Sequence, residues 1–263
     1  MFQRPCLPVM RVFFTNQESP SRERGGVLRL VAAARSSGPA VAASAGQPAD
    51  VGIFLNASEA AHQWVRAGKP SLVFGTSREG GDPNSGARVI FLRDVPPLAL
   101  FAPVLEAPSR TLKRLAFITD EEREELSSTI AAAIRDRLEL GLFATTSASG
   151  QALESLSGCR VRVVSERDQD DALRPFDMVA SFSRAHIVRA LAMLKPAVWL
   201  KPDDGYAAND LPPFVYSVRP VELPALFAVH EPDRMLPDLF NWKRSCELQA
   251  TTRVGDALSA LGL

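Results

Sequence analysis

The feature of the sequence that most constrains its fold is a regular alternation of short apolar runs with longer segments of helical spacing. Each apolar run is only a few residues long and is bounded by Gly, Pro, Asn, Asp or Ser, which is typical of buried strands. The runs that predict strands are residues 11–15, 40–43, 51–55, 71–75, 88–92, 115–119, 142–145, 160–164, 177–182 and 197–200.

Segments with helical periodicity lie between many of these runs. The predicted helices are residues 22–35, 56–68, 120–138, 184–193 and 254–261. Strands that alternate with helices in this way form βαβ units, which build a parallel sheet with helices on both faces. We therefore predict an α/β protein made of two Rossmann-like halves with mainly parallel sheets.

A proline-rich stretch divides the two halves. Residues 95–110 favour neither a long helix nor a central strand, because proline lacks the backbone N–H that both need. We predict a disordered leader at residues 1–9, an N-terminal half at 10–94, the crossover at 95–110 and a C-terminal half at 111–263. Each half should hold its own sheet, with residues 115–119 and 177–182 near the centre of the second.

Composition excludes several classes of protein. The chain has 263 residues, 46% hydrophobic and 23% charged, which is in the range of globular proteins. Lys+Arg and Asp+Glu both number 30, so no net charge draws the chain to nucleic acid. The apolar runs are too short to span a membrane. Three separated cysteines (Cys6, Cys159 and Cys246) fit reduced thiols in a cytoplasmic protein.

One pattern occurs in both halves. Residues 50–70 and 177–196 each begin with Asp before an apolar strand, pass through a Ser-bearing turn and a helix that contains His, and end in Lys-Pro. Two explanations stay open: an internal duplication, or the shared needs of any βαβ unit, in which Pro opens a strand without donating a ladder bond. Both predict the same supersecondary unit in each half.

Positions for a functional site follow from the predicted sheets. In open parallel sheets, ligands bind beyond the carboxyl ends of the strands, beside helix N-termini whose free N–H groups attract anions. This rule selects residues 16, 56–59, 76–78, 119–120, 145–149, 181–184 and 201–204.

The turn after the strand at 177–182 is the best candidate for binding phosphate. Two hydroxyls (Ser181 and Ser183), the guanidinium of Arg184 and a helix N-terminus converge there. The alternative is a helix cap beside a solvated arginine, since Ser is a common N-cap. The run Thr145–Gly150 is a second polar candidate, although such a run is more often only a loop.

The sequence indicates acid–base and metal chemistry less specifically than it indicates phosphate binding. His186 alone among the three histidines adjoins the candidate phosphate turn. Residues 168–171 contain an Asp-x-Asp spacing that suits a divalent ion, but a solvated loop is the commoner meaning, and we predict no metal site. The glycine fingerprints of classical dinucleotide enzymes, P-loop NTPases and α/β-hydrolases are absent.

Residues 176–200 carry a family resemblance. They read Phe-Asp-Met-Val-Ala-Ser-Phe-Ser, then a helix ending Ala-Leu-Ala-Met-Leu, then Lys-Pro-Ala-Val. This segment resembles the donor side of GT-B glycosyltransferases of the capsule- and surface-polysaccharide kind. There an apolar strand, a Ser-rich turn, a helix ending in an Ala-Leu pair and Gly-Lys-Pro follow one another. The chain departs from that pattern at Leu194, where Gly is usual, and near Val188 and Arg189, where many such enzymes carry a glutamate.

The resemblance implies a glycosyltransferase that moves a sugar from a nucleotide-activated donor to a saccharide or other acceptor in surface-glycan synthesis. Helix N-termini and cations would stabilise the leaving phosphate, so neither a metal nor a cofactor besides the donor substrate is implied. The residues to which it gives roles are Ser181, Ser183, Arg184 and Lys201 at the phosphates, Thr145 and Thr146 at the nucleotide, and Glu59 or His186 as base. The missing glutamate favours an alternative, a non-catalytic two-lobed binding or assembly protein of the same fold.

Overall fold

The structure is a computed structural model that describes residues 9–14, 21–35, 39–43, 47–54, 59–74, 89–92, 108–109, 111–120, 138–165, 168–201, 211–230 and 232–263. The described strands are β1 Met10–Phe13, β2 Ala40–Ala42, β3 Val51–Phe54, β4 Ser71–Phe74, β5 Val89–Leu92, β6 Arg114–Thr119, β7 Glu139–Ala144, β8 Arg162–Val163, β9 Met178–Ser181, β10 Ala197–Leu200 and β11 Tyr216–Val218. The described helices are α1 Ser21–Ala34, α2 Glu59–Arg66, α3 Ser147–Ser157, α4 Gln169–Leu173, α5 Arg184–Ala192, α6 Leu223–Val229 and α7 Pro232–Ala260, with a 3₁₀ turn at Pro220–Glu222.

The chain divides into two compact units. The first comprises Met1–Pro103 with Ser245–Leu263, and the second comprises Val104–Arg244. The sequence-based division differs at the C-terminus, since it kept all of residues 111–263 in one half. Residues 245–263 join the first unit because the C-terminal part of α7 packs on α1. A Cβ added at Gly255 would lie 3.3 Å from the carbonyl oxygen of Ala34.

The first unit contains a parallel sheet of order β2-β1-β3-β4-β5. Its central strands β3 and β4 are buried along their whole length, so each reads as a continuous apolar run rather than an alternating one. Beside β3, the ring of Trp64 stacks on Phe13 at 4.4 Å between centroids. Gly52 leaves room for that ring, because a Cβ there would stand 2.7 Å from Trp64 Nε1.

The second unit contains a parallel sheet of order β11-β10-β9-β6-β7-β8. This is the strand order of the Rossmann fold, in which the chain builds outward from β6 and then restarts on the other side at β9. The predicted fold class of two mainly parallel sheets is confirmed, and so is the prediction that β6 and β9 are central.

The repeated Asp of the two halves has the same structural role in both. Asp50 precedes β3, and its carboxylate accepts the backbone N–H of Arg11 in the neighbouring strand at 2.7 Å. Asp177 precedes β9, and its carboxylate accepts the backbone N–H groups of Lys113 and Arg114 at the start of β6, each at 2.9 Å. In each half the Asp therefore ties the beginning of one central strand to the next.

The Lys-Pro end of the repeat is also reproduced. The residue before each Lys-Pro is left-handed, with φ of 67° at Gly68 and 57° at Leu194. The carbonyl of each proline accepts an N–H from the preceding strand, Gly52 in the first half and Val179 in the second. Both segments have the predicted strand-helix-strand order. The shared pattern is thus accounted for by the hydrogen bonds and turn geometry of a βαβ unit.

Several elements were not anticipated from the sequence. Residues expected to form a loop after β7 instead begin α3, and the acidic run contributes to α4. Helix α7 begins at Pro232, far before the predicted start at residue 254, because Met235, Leu236 and Leu239 are buried and this packing outweighs the cost of Pro237 within the helix. Other predictions lie outside the described residues: the leader up to residue 8, the polar loop at 75–88, most of the crossover and the helix body at 121–137.

Candidate functional site

The candidate site lies at the carboxyl ends of β6 and β9, where the strand order of the second sheet reverses. Helices that follow two adjacent strands on opposite sides of such a point leave a crevice between them, and ligands of open α/β sheets bind there. Thr119 and Asp120 end β6, and the turn from Ser181 to Arg184 follows β9. Residues chosen separately by the strand-end rule are therefore on neighbouring strands.

Ser181 shapes the turn rather than facing the crevice. Its side chain is fully buried, its hydroxyl donates to the carbonyl of Ile118 at 2.7 Å, and its oxygen accepts the N–H of Ser183 at 3.0 Å. The role predicted for Ser181, direct contact with phosphate, does not fit this burial. The hydroxyl instead joins the ends of β9 and β6 and sets the direction in which the turn leaves the sheet.

Ser183 and Arg184 are placed at the start of α5. Ser183 is the N-cap residue with φ −88° and ψ 124°, but its hydroxyl makes no capping hydrogen bond to the helix. The first N–H groups of a helix have no partner within the helix, so an N-terminus without a side-chain cap is suited to bind an anion. Arg184 is exposed at the same end. The alternative reading of Ser183 as an ordinary side-chain cap is not what the structure has.

Thr145 and Thr146 lead into α3 at the end of β7, the other neighbour of β6. Thr146 is a capping residue, since its Oγ1 accepts the N–H of Ser149 at 3.1 Å. Thr145 donates its backbone N–H to the carbonyl of Thr119 at 3.1 Å. Ser149 is buried and its hydroxyl donates to the carbonyl of Asp120 at 3.0 Å. The start of α3 is thereby attached to the end of β6.

His186 is the third residue of α5, within its first turn, and its side chain faces Asp120. The distance between His186 Nε2 and Asp120 Oδ2 is 3.9 Å, and the exposed fractions of the two side chains are 8% and 42%. The pair is thus asymmetric, with the imidazole enclosed and the carboxylate open. Asp120 is selected by the strand-end rule, but nothing in the sequence pairs it with His186, because the two residues are 66 positions apart and meet only in the folded chain.

Lys201 and Glu59, the two remaining residues with predicted roles, lie in different units. Lys201 follows β10 and donates its backbone N–H to the carbonyl of Val218 at 2.8 Å. Nearby, hydrogen bonds from Arg219 and the charges of Arg219 and Lys201 hold the pKa of the Glu222 carboxyl below its ordinary value. Glu59 belongs to the first unit, where it is exposed at the start of α2 and accepts a hydrogen bond from Gln63 at 3.5 Å. The sheet therefore brings Lys201 to the same edge as Ser183.

The acidic run has a structural explanation. Asp170 accepts a hydrogen bond from Arg189 Nε at 2.7 Å, and Gln169 accepts one from Arg189 Nη1 at 3.1 Å. Asp171 pairs with Arg174. In the described part of the chain, no group of three His, Cys, Asp or Glu side chains is arranged to hold a metal ion. Arg189, near the place of the family's glutamate, thus joins α5 to α4.

Comparison with known proteins gives similarity at the level of architecture. No protein-family model matches the sequence, and no curated protein sequence matches it. Among solved structures, the wall teichoic acid polymerase TagF is 10% identical, with a TM-score of 0.46, over 96% of this chain and 88% of that chain. A protein from Listeria monocytogenes described as a UDP-N-acetylglucosamine 2-epimerase is 11% identical, with a TM-score of 0.49, over 95% and 94%. MurG from Acinetobacter baumannii is 10% identical, with a TM-score of 0.36, over 94% of each chain.

The class that the fold defines is an α/β protein with two parallel sheets and interleaved helices. The expected fold class is confirmed by the strand orders of the two sheets. Within the described residues, no helix is long and apolar enough to cross a membrane.

Proposed function

We propose that the second unit binds the diphosphate of a nucleotide-activated sugar at the N-terminus of α5, and that the protein transfers this sugar to a saccharide or another acceptor in surface-glycan synthesis. The observation that supports this is an N-terminus without a side-chain cap, placed at the reversal point of a Rossmann-type sheet. Backbone N–H groups and the positive end of the helix dipole favour a phosphate at such a place.

The proposed roles follow the placement of each side chain. Ser183 and Arg184 contact phosphate, and Lys201 adds positive charge from the neighbouring strand end. Thr145 faces the nucleotide, while the hydroxyl of Thr146 also serves as the cap of α3. A leaving diphosphate is stabilised in this arrangement by N–H dipoles and cations.

The base and the setting of the reaction are also proposals. Glu59 is the candidate base in the first unit because its carboxylate is exposed. His186 is too enclosed to take a proton from an acceptor directly, so we do not retain it as the base.

A cytoplasmic location fits the free thiols of Cys159 and Cys246.

Arg184 provides the test of the phosphate site. Charge-assisted hydrogen bonds are worth about 1.5–3 kcal/mol, so Arg184→Ala should weaken nucleotide-sugar binding by about ten- to a hundredfold. Because Arg184 is exposed, the melting temperature of the free protein should hold. Isothermal titration calorimetry after a thermal-shift panel of UDP-, GDP-, ADP-, CDP- and dTDP-sugars measures both quantities.

Arg253, an exposed arginine on α7 in the first unit, is the matched control. Arg253→Ala should leave donor affinity unchanged. A wild-type protein that ignores the whole panel would favour the non-catalytic binding protein. A destabilised Arg184→Ala variant with unchanged affinity would place the phosphate elsewhere and make Arg184 a structural ion-pair partner.

A further inference from the structure

The position of Asp120 is set by contacts from α3 and α5, the helices that follow the two strands adjacent to β6. Its backbone carbonyl accepts the hydroxyl of Ser149 from α3 at 3.0 Å. Its carboxylate faces His186 of α5, with 3.9 Å between Oδ2 and Nε2. Neither contact is local in sequence. The backbone of Asp120 is therefore held at the end of β6, with its carboxylate beside the first turn of α5.

The side chains of Asp120 and His186 differ in how accessible they are to a ligand. The His186 side chain is 8% exposed, whereas that of Asp120 is 42% exposed. A ligand in the crevice meets the carboxylate and not the imidazole. The imidazole lies beside the Asp120 carboxylate without occupying its oxygens in a direct hydrogen bond, since hydrogen bonds require a distance shorter than 3.9 Å.

The charge of Asp120 decides which part of a ligand it contacts. An ionised carboxylate only accepts hydrogen bonds, so it repels phosphate and binds groups that donate, such as hydroxyls. The uncapped N-terminus of α5 has the opposite preference, for an anion. The two neighbouring positions are thus complementary to a ligand with a phosphate at one end and hydroxyl groups at the other.

We infer that Asp120 is a specificity-determining residue that accepts a hydrogen bond from a ribose or sugar hydroxyl of the phosphorylated ligand, and that His186 is its positioning residue. This inference rests on the proposed function, because the phosphate at α5 places the hydroxyls. Both the ribose and the transferred sugar carry hydroxyl groups that can donate this hydrogen bond, and the experiment below distinguishes them.

The experiment compares ligands that differ by one feature. Wild type and Asp120→Ala are titrated with ADP, CDP, GDP and UDP, with their 2′-deoxy counterparts, with the corresponding glucose nucleotides, and with pyrophosphate. In one of the two comparisons, ribose against 2′-deoxyribose or glucose nucleotide against nucleotide, wild type should bind the ligand with the additional hydroxyls about tenfold or more tightly. Asp120→Ala should bind the two ligands of that comparison with about equal affinity. Loss in the ribose comparison assigns the hydroxyl to ribose, and loss in the glucose comparison assigns it to the sugar.

Pyrophosphate separates this inference from the phosphate site. It has no hydroxyl to donate at Asp120, so its affinity should stay equal or rise in Asp120→Ala, where a negative charge is removed. Binding of pyrophosphate and nucleotides with unchanged hydroxyl preference would refute the role of Asp120 and leave the proposed function standing. Equal weakening of every ligand would make Asp120 structural. No binding to wild type would refute the proposed function and the inference with it.

Two substitutions at His186 test positioning. His186→Gln keeps an N–H that can face Asp120 and should retain most of the hydroxyl preference, whereas His186→Leu should lower it while leaving pyrophosphate affinity unchanged. Asp256→Ala, at an exposed carboxylate on α7, is the control and should change neither. If His186→Gln loses the preference as fully as Asp120→Ala at unchanged melting temperature, the positioning role is wrong.

Discussion

One carboxylate joins the beginnings of β9 and β6 in addition to the backbone ladder between these strands, and its removal should destabilise the second unit strongly. Asp177 is 7% exposed and accepts the N–H groups of Lys113 and Arg114, each at 2.9 Å, with an ion pair to Arg114 at 3.5 Å. In Asp177→Ala, both N–H groups lose their acceptor at the start of a central strand. Buried donors without a partner cost free energy beyond the bond that is lost.

The magnitude follows from the number and charge of these bonds. A hydrogen bond to a charged group is worth about 1.5–3 kcal/mol. Two bonds to one oxygen are not additive, so we expect a loss of about 2–4 kcal/mol in the free energy of unfolding. Asp50 is the internal control, since it is exposed and, among the hydrogen bonds of the described residues, its carboxylate accepts one backbone N–H, that of Arg11. Asp50→Ala should cost about 0.5–1.5 kcal/mol.

Urea denaturation followed by circular dichroism gives the two losses, and hydrogen exchange of the peptides that contain Arg114 and Arg11 locates them. Burial alone raises the pKa of the Asp177 carboxyl, but the two backbone hydrogen bonds, the Ser109 hydroxyl and the Arg114 charge outweigh it and leave the pKa below its ordinary value of 3.8. The stabilisation is therefore complete above that value and is lost as pH falls through the lower folded-state pKa. Equal losses in the two variants, or unchanged exchange at Arg114, would refute this account.

Two further predictions concern helix caps and a buried histidine. Thr146→Ala should cost about 1 kcal/mol because Oγ1 accepts the N–H of Ser149, whereas Ser183→Ala, at an N-cap without that bond, should stay within about 0.5 kcal/mol in chemical denaturation. Burial lowers the pKa of His230, and neither ring nitrogen has a hydrogen-bond partner among the described residues. Stability should therefore be unaffected by this group above pH 6.5 and fall as pH drops toward the folded-state pKa. His230→Phe, which keeps a ring against Tyr216, should flatten that decline in unfolding curves measured at several pH values, and an unchanged slope would contradict it.

The strands and their parallel arrangement could be predicted because buried strands of α/β sheets are apolar on both faces. β3, β4, β9 and β10 are buried at every position, and each appears in the sequence as a mainly apolar run, with a buried serine at the beginning of β4 and at the end of β9. Helix α3 could not be predicted in the same way. Its first turn consists of Ser, Ala and Gly, which resemble a loop in composition, and the start of the helix depends on the Thr146 cap.

The candidate site was predicted in part. The strand-end rule selects the turn at residues 181–184, and the structure places it at the reversal point of the sheet. The difference between Ser181 and Ser183 was not predictable, since both are hydroxyls in one turn. Ser181 is the last residue of β9 and its buried hydroxyl donates to Ile118, whereas Ser183 lies beyond the strand as the N-cap residue of α5. The pairing of Asp120 with His186 joins residues from different strand ends, which no local pattern reveals.

The sequence by itself determined the positions of most strands and their alternation with helices, because apolar periodicity, Pro and Gly act through the backbone over a few residues. Tertiary structure decided the order of strands in the second sheet and the packing of residues 245–263 in the first unit. It also decided which hydroxyl and carboxylate side chains at the strand ends are exposed and which are buried. These depend on contacts between distant residues. Leu194 depends on both the local turn and the tertiary packing. The turn before Lys-Pro requires a left-handed residue, and in the first half this residue is Gly68. In the second half it is a leucine with φ 57°, because its side chain is buried in the core of the second unit.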